Sequence, residues 1–426
     1  MNFKSKALWI DSIFATIFVF ALMWGFSKVF NSNLFDEFDS IGKALSDMEI
    51  TDMAFSRFRE PLPPDENIVL VNIGDKTRGE IGMMVNIINQ YNPKVVAFDT
   101  FFAKRSEDTL QDEILSMALA NIENLVLVTQ LLQTDSLSKK AYGNDLLFDS
   151  LKITHPFIKG NKAHEGFANL STDAEFQDDF KTCREFPPSR LVRGDSLHAF
   201  AVKISEIYNP EATNKLLERS NDWELINYRG NFLNPFDQNE FSTRFYTLDW
   251  DNVFNEDFEK EVIEGKIVLF GYLGDNILDT SWDDKFFSPL NKNYAGKANP
   301  DMYGLVIHAN IVSMILNGDY IDSLSEFLKI FLAILLCYIN IVLFSYIFHN
   351  LGAWYDGISK IIQLVEIMVI TFIVIEVFAV ASFKMELDLG IFAIALAGDA
   401  LEIYYGVIKN LFSKKSRREL FTFGKK

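Results

Sequence analysis

Four apolar runs, one ahead of residues 27–326 and three behind them, restrict this chain more than any other feature of its sequence. Residues 7–26 (ALWIDSIFATIFVFALMWGF) carry one charge, Asp11. Twenty such residues cross the hydrocarbon core of a bilayer as a helix. Residues 327–348, 361–381 and 387–408 repeat the pattern. Lys329 sits at a margin, where its stem can lie along apolar surface and its ammonium reach water. No small-x-small cleavage site follows the first run, which continues Phe26-Ser-Lys-Val-Phe30, so it reads as an anchor rather than a cleaved leader.

Flanking charge gives the orientation. Lys4 and Lys6 precede the first run; Lys409, Lys414, Lys415, Arg417 and Arg418 follow the last. Basic residues stay on the cytoplasmic side, so both termini are expected there, in a multi-pass protein of the cell membrane. Residues 27–326 are then extracytoplasmic, with a short cytoplasmic loop around Asn350–Lys360 and a short outer loop around Ser382–Glu386.

The formal charge of −18 is concentrated outside. Residues 1–26 carry +1 and residues 327–426 carry +2, which leaves −21 on the rest. So acidic a surface repels nucleic acid and anionic headgroups and favours cations, amines or a basic protein; the same charge also serves plain solubility. Of the two cysteines, Cys183 lies in the outer segment and Cys337 in the second span, so no disulfide within the outer domain is available. A domain of this length builds enough core without one.

Within the outer segment, Phe30, Leu34, Phe38, Ile41, Leu45 and Met48 recur at helical spacing, predicting a juxtamembrane helix over 27–59. Glu60-Pro-Leu-Pro-Pro64 stops it and starts a domain over 60–320. Asn67–Ile73 reads as a buried strand, 77–91 as a helix, Lys94–Phe98 as a strand, Thr109–Ala120 as a helix and Leu125–Val128 as a strand. Apolar strands alternating with helices predict an α/β fold, a parallel or mixed sheet covered by helices. Residues 131–195 are polar and turn-rich and give no clear pattern. Beyond them Ser196–Tyr208 reads as a helix, Glu224–Tyr228 and Gly265–Gly271 as strands, and Gly304–Asn317 as a helix.

Five stretches, Ile68-Val-Leu-Val-Asn-Ile-Gly-Asp75, Val95-Val-Ala-Phe-Asp-Thr-Phe-Phe102, Ile226-Asn-Tyr-Arg-Gly230, Gly265-Lys-Ile-Val-Leu-Phe-Gly271 and Gly304-Leu-Val-Ile-His-Ala-Asn310, stand in an order, and between one leading and three trailing spans, that resembles the second class of CHASE domain. The resemblance covers most of residues 60–320. It implies an outward-facing sensory domain of the kind found with cyclases and histidine kinases, with a homodimer as the family's habit. The chain departs from the family in having Lys76-Thr-Arg-Gly-Glu-Ile81 where a tryptophan-rich turn usually follows the first strand. Its residues 409–426 are too short to fold as a kinase or cyclase, so output is expected from a separate membrane partner.

Ligands of parallel α/β sheets sit beyond the carboxyl ends of the strands. Asp75, Asp99 and the pair Asp275 and Asp279 are predicted at that edge, and the helix from Gly304 should bring His308 and free backbone N–H groups there. These five are the candidate ligand-binding residues, for a divalent cation, an amine or sugar hydroxyls. The alternative is structural: Asp75 caps the helix near Thr77, Asp99 caps a turn, and His308 makes a hydrogen bond within the fold. The remaining histidines have no metal-type spacing. Phosphate-loop, G-x-S-x-G and D-x-D signatures are absent, so neither enzyme activity nor a cofactor is expected. Within the last two spans lie Glu366, Glu376, Asp399 and Glu402. Carboxylates are costly in lipid unless they face protein or serve a function. Glu366 and Glu402 lie toward the interfaces, which leaves Glu376 and Asp399 as candidates for contact with a partner helix or for an ion path; Gly398 allows close approach of helices. The expected function is reception of an outer stimulus. A scaffold or accessory subunit of an envelope complex is the alternative.

Overall fold

The computed structural model describes residues 6–30, 49–134, 148–170, 182–232, 241–281, 284–292 and 299–412. The helix predicted through Leu34, Phe38, Ile41 and Leu45 falls outside them. The chain divides into two units, Phe55–Ile321 and a second made of Met1–Ala54 with Asp322–Lys426. Helix α1 (Lys6–Phe30) belongs to the second unit.

The first unit is built on a seven-stranded sheet. In chain order its strands and main helices are β1 (Asp65–Asn72), α2 (Arg78–Asn89), β2 (Val95–Asp99), α3 (Thr109–Ala120), β3 (Leu125–Leu132), β4 (Ser150–Lys152), β5 (His164–Phe167), α4 (Phe200–Tyr208), α5 (Pro210–Glu218), β6 (Phe245–Leu248), β7 (Ile267–Gly271) and α6 (Gly304–Asn317). The sheet order is β6-β1-β7-β2-β3-β4, with β5 also on β3. All its pairings are parallel except β3 with β4. The register sets Leu70 beside Leu269 and Leu269 beside Ala97.

Strand alternation sends side chains to two faces. Val69, Val71, Val96, Phe98, Val268 and Phe270 pack on one side against Ile81, Met84, Val85 and Ile88 of α2 and Leu115 and Leu119 of α3. Ile68, Leu70, Val95, Ala97, Ile267 and Leu269, fully buried as well, face α4 and α6. Burial on both faces explains why these strands read as unbroken apolar runs. Asp99 follows Ala97 in this alternation and so points to the α6 side.

The structure also fills the stretch that the sequence left blank. Ser150–Lys152 and His164–Phe167 complete the sheet, and Ser189–Val192 forms a hairpin with Asp195–His198. Strand β6 carries no apolar run in the sequence, since Tyr246 lies half open at the sheet edge. The strand expected over Glu224–Tyr228 is confined to Glu224–Leu225; residues 226–230 leave it to bond elsewhere.

In the second unit, α7 (Glu326–Asn350), α8 (Tyr355–Ala381) and α9 (Asp388–Ile403) accompany α1. Four helical stretches, Lys6–Ser27, Glu326–Asn350, Gly352–Ala381 and Asp388–Leu411, are long and apolar enough to cross a membrane. Ala15 and Val19 of α1 pack with Cys337, Ile341 and Phe344 of α7 and Ala393 and Ala397 of α9. The loop expected around Asn350–Lys360 is shorter. Helix α8 starts at Tyr355 because its polar first turns are held by α9: Tyr355 Oη donates to Gly398 O at 2.7 Å, and Lys360 Nζ bonds both Asp399 oxygens at 2.6 and 2.5 Å.

Candidate functional site

The carboxyl edge of the sheet gathers the five predicted residues into two groups with opposite character. Asp75, Asp275 and Asp279 belong to the β1/β7 half, and their carboxylates are engaged. Asp75 pairs with Lys76 at 2.7 Å, which holds its pKa below the usual carboxylate range. The Lys76 ammonium also lies 4.0 Å from the centre of the Trp250 ring, a cation–π contact. Asp275 Oδ1 accepts from Tyr272 Oη at 3.2 Å. Asp279 accepts from the backbone N–H groups of Ser281 at 2.8 Å and Asp275 at 3.1 Å, and these bonds lower its pKa. Asp75 does not cap α2. Thr77 does, in a capping box in which its side chain accepts from the Glu80 N–H and Glu80 accepts from the Thr77 N–H. Two residues nearer the helix, Thr77 has the extended backbone that a cap needs.

Asp99 and His308 form the other group. Asp99 has no hydrogen-bond or ion-pair partner among the described residues, and burial raises its pKa to about 7. A methyl group at Gly304 would lie 3.7 Å from Asp99 Oδ2 and 3.4 Å from the Phe286 ring, so the carboxylate abuts the bare first turn of α6. No side chain caps that turn; the Gly304 N–H donates to the Asp284 carbonyl at 3.4 Å. His308 stands one turn further along the same face. Side chains on a helix lean toward its N-terminus, which brings the imidazole over Gly304. His308 is 4% exposed, its Nδ1 meets no hydrogen-bond partner, and its ring stands edge-on to Phe200 at 5.2 Å. Burial lowers its pKa to about 4. Asp284 adds a second carboxylate, raised to about 6 by burial and by the Asp99 charge.

Near neutral pH this half therefore presents one or two poorly satisfied carboxylates and a neutral imidazole. Buried polar atoms are normally paired, and leaving one unpaired costs about 1–3 kcal/mol. The arrangement can accept hydrogen bonds from an ammonium or hydroxyl-bearing molecule. Among the described residues no group of three or more His, Cys, Asp or Glu is placed to hold a metal ion.

At the opposite edge, where the strands begin, the structure reveals residues that the sequence did not mark. Arg229, from Ile226-Asn-Tyr-Arg-Gly230, is 5% exposed. Its Nε donates to Ser313 Oγ at 2.7 Å, one Nη to Pro63 O at 2.6 Å and the other to Asp319 Oδ2 at 3.1 Å. Ser313 donates to Asp65, and Asn317 Nδ2 reaches the same carboxylate at 3.2 Å. Arg59 donates to Asn227 Oδ1, and burial lowers its pKa to about 10. Asn310 receives the N–H groups of Arg229 and Gly230 at 2.7 and 3.1 Å. Gly230, at φ 152°, could not carry a side chain: a Cβ there would lie 2.3 Å from Phe241 O. This network joins residues 59–65, where the chain comes into the sheet, to residues 313–319, where it leaves. The signal available in the sequence was a single charge, Arg229, in the run Ile226-Asn-Tyr-Arg-Gly-Asn-Phe-Leu233.

In the second unit Asp399 is taken up by Lys360, whereas Glu376 has no partner among the described residues. The Gln363 amide lies close to Gly398, 3.1 Å from where a Cβ would stand, and donates to Ile394 O at 2.7 Å.

The family model of the CHASE2 domain matches residues 15–345. No curated protein and no solved structure matches the chain. The match spans the sheet, α6 and the flanking helices α1 and α7, and the chain belongs to the CHASE2 family, whose members are sensory rather than catalytic extracellular domains.

Proposed function

Taking membership of that family as the premise, we propose that the protein is a membrane receptor whose ligand site is the Asp99–His308 half of the sheet edge. The observation that carries this reading is a pair of groups without a hydrogen-bond partner among the described residues, the half-buried Asp99 carboxylate and the buried His308 Nδ1, on one face of the uncapped first turn of α6. A small amine or polyhydroxyl compound supplies the donors that both groups lack. The acidic outer segment draws a cation toward them. Basic residues at the ends of the first and last spans favour cytoplasmic termini and an extracytoplasmic Phe55–Ile321 unit.

The ligand-bound state passes through the four helices to a partner protein in or beneath the membrane. Glu376, an α8 carboxylate without a partner among the described residues, supports such a partner, and it equally suits an accessory subunit within an envelope complex. The test is thermal unfolding of the full chain in detergent against polyamines, amino acids and sugars. A compound that raises the melting temperature of the native protein but not of Asp99→Asn or His308→Gln supports the site. Equal shifts in all three proteins refute it. If no compound acts while a membrane protein co-purifies in fixed ratio, the accessory-subunit reading takes its place.

A further inference from the structure

The loop between α8 and α9 does more than connect them. Ser382 and Glu386 take left-handed backbone, φ 50° and 42°, a conformation that costs a non-glycine residue roughly 1 kcal/mol or more. Between them β9 (Phe383–Lys384) runs parallel to β8 (Asp322–Ser323), with Asp322 opposite Phe383 and Ser323 opposite Lys384. The Asp322 N–H donates to Ser382 O and the Leu324 N–H to Lys384 O, both at 3.2 Å. Lys384 is 14% exposed; its ammonium lies 2.7 Å from Glu49 and 3.3 Å from Glu386. Glu386 is held in turn by Lys329 of α7.

Glu49 precedes the short helix Ile50–Met53, after which the chain enters the sheet-bearing unit. Asp322 is the first residue after that unit. Both connecting segments are thus fastened to one loop, the first through an ion pair and the second through backbone hydrogen bonds. Two-residue parallel strands have no stability of their own, and the strained loop persists because these attachments fix it. Helix α8, which leads into the loop, is the least buried of the four apolar helices.

We propose that the Ser382–Glu386 loop is the receiving element of the membrane unit: it takes displacement from both connecting segments and delivers it to the adjoining end of α8. The proposal rests on the receptor reading only for the origin of the displacement, and its test needs no ligand. Full-length protein in lipid nanodiscs is followed by amide hydrogen exchange. Lys384→Met is expected to speed exchange at least ten-fold in residues 49–54, in 322–325 and in the last two turns of α8 together. A disulfide from Asp322→Cys and Phe383→Cys, whose Cα atoms are register partners within bridging range, is expected to form on mild oxidation. In the Lys384→Met background it should restore protection to 322–325 and to α8 while 49–54 stays fast. Faster exchange confined to 49–54 in Lys384→Met overturns the proposal, and so does failure of the disulfide to form. A disulfide that leaves α8 fast overturns it as well. A protein that binds no ligand yet gives the expected pattern would sink the receptor reading and leave this one standing.

Discussion

The two ends of one parallel sheet have been given opposite electrostatic treatment. Where the strands start, Arg59, Arg229 and Asp65 are buried beside the half-exposed Asp319, and Arg229 makes hydrogen bonds in four directions. Where they finish, the half-buried Asp99 carboxylate and the buried His308 Nδ1 stand beside an uncapped helix turn without a hydrogen-bond partner among the described residues. A saturated network fixes one geometry because every alternative leaves a charge unpaired. An unsaturated one leaves polar groups open, as the proposed ligand site requires. The contrast separates a structural end of the domain from an adaptable one.

The sharpest way to break the contrast is at the saturated end. Arg229→Met removes the cation beside Asp65 and Asp319 and leaves Pro63 O without its donor, and is expected to cost about 2–3 kcal/mol, read as a large fall in denaturation midpoint of the full chain. A loss below about 1 kcal/mol would mean that the network is incidental.

At the unsaturated end the sign reverses. Asp99 has a folded pKa near 7 against 3.8 unfolded, so the folded state holds the proton more tightly and stability falls as pH rises from 4 through 7. Asp99→Asn is therefore expected to be more stable than the native protein at pH 8, by roughly 2 kcal/mol once solvent access is allowed for. The gap should close toward pH 4. A destabilised Asp99→Asn at pH 8 would show that the carboxylate has a partner.

His308 works in the other direction. Its folded pKa near 4 lies below the usual 6.5, so its contribution is complete above pH 6.5 and is lost as pH falls toward 4. His308→Gln should flatten the acid limb of the stability profile by about 1 kcal/mol; an unchanged limb would place the titration elsewhere. The smallest pair of effects sharpens the assignment of the helix cap. Thr77→Ala should cost about 1 kcal/mol, while Asp75→Asn should leave the melting temperature where it is. The reverse ranking would return the cap to Asp75.

Strands buried on both faces announced themselves as apolar runs, and so did the spans, while α2, α3 and α6 were readable as the helical stretches beside them. The candidate site was legible as far as its edge of the sheet, because Asp75, Asp99 and the Asp275–Asp279 loop each follow a readable strand. What periodicity cannot carry is which carboxylate finds a partner. Lys76 beside Asp75 and the turn N–H groups beside Asp279 are local, yet the emptiness around Asp99 depends on α6, two hundred residues away in sequence. The arginine network stayed hidden for the same reason: Arg229 meets Pro63, Ser313 and Asp319, none of them near it along the chain. Strand β6 was missed because an edge strand with one open face lacks a continuous apolar run.

The strand order has a further consequence, for biosynthesis. β1 and β2 are consecutive in the chain but never touch; β7 lies between them. As the polypeptide emerges N-terminus first, its earliest strands must wait with bare edges until Ile267 arrives. Such long-range parallel pairing is slow and exposes apolar surface meanwhile. Gly271 at the end of β7 then receives Leu305, whose side chain would stand 2.9 Å from any Cβ there, and only at that point can α6 settle and Gly304 come up beside Asp99. A chain cut before Ile267 has no closed sheet and never brings Asp99 and His308, the two groups of the proposed site, together.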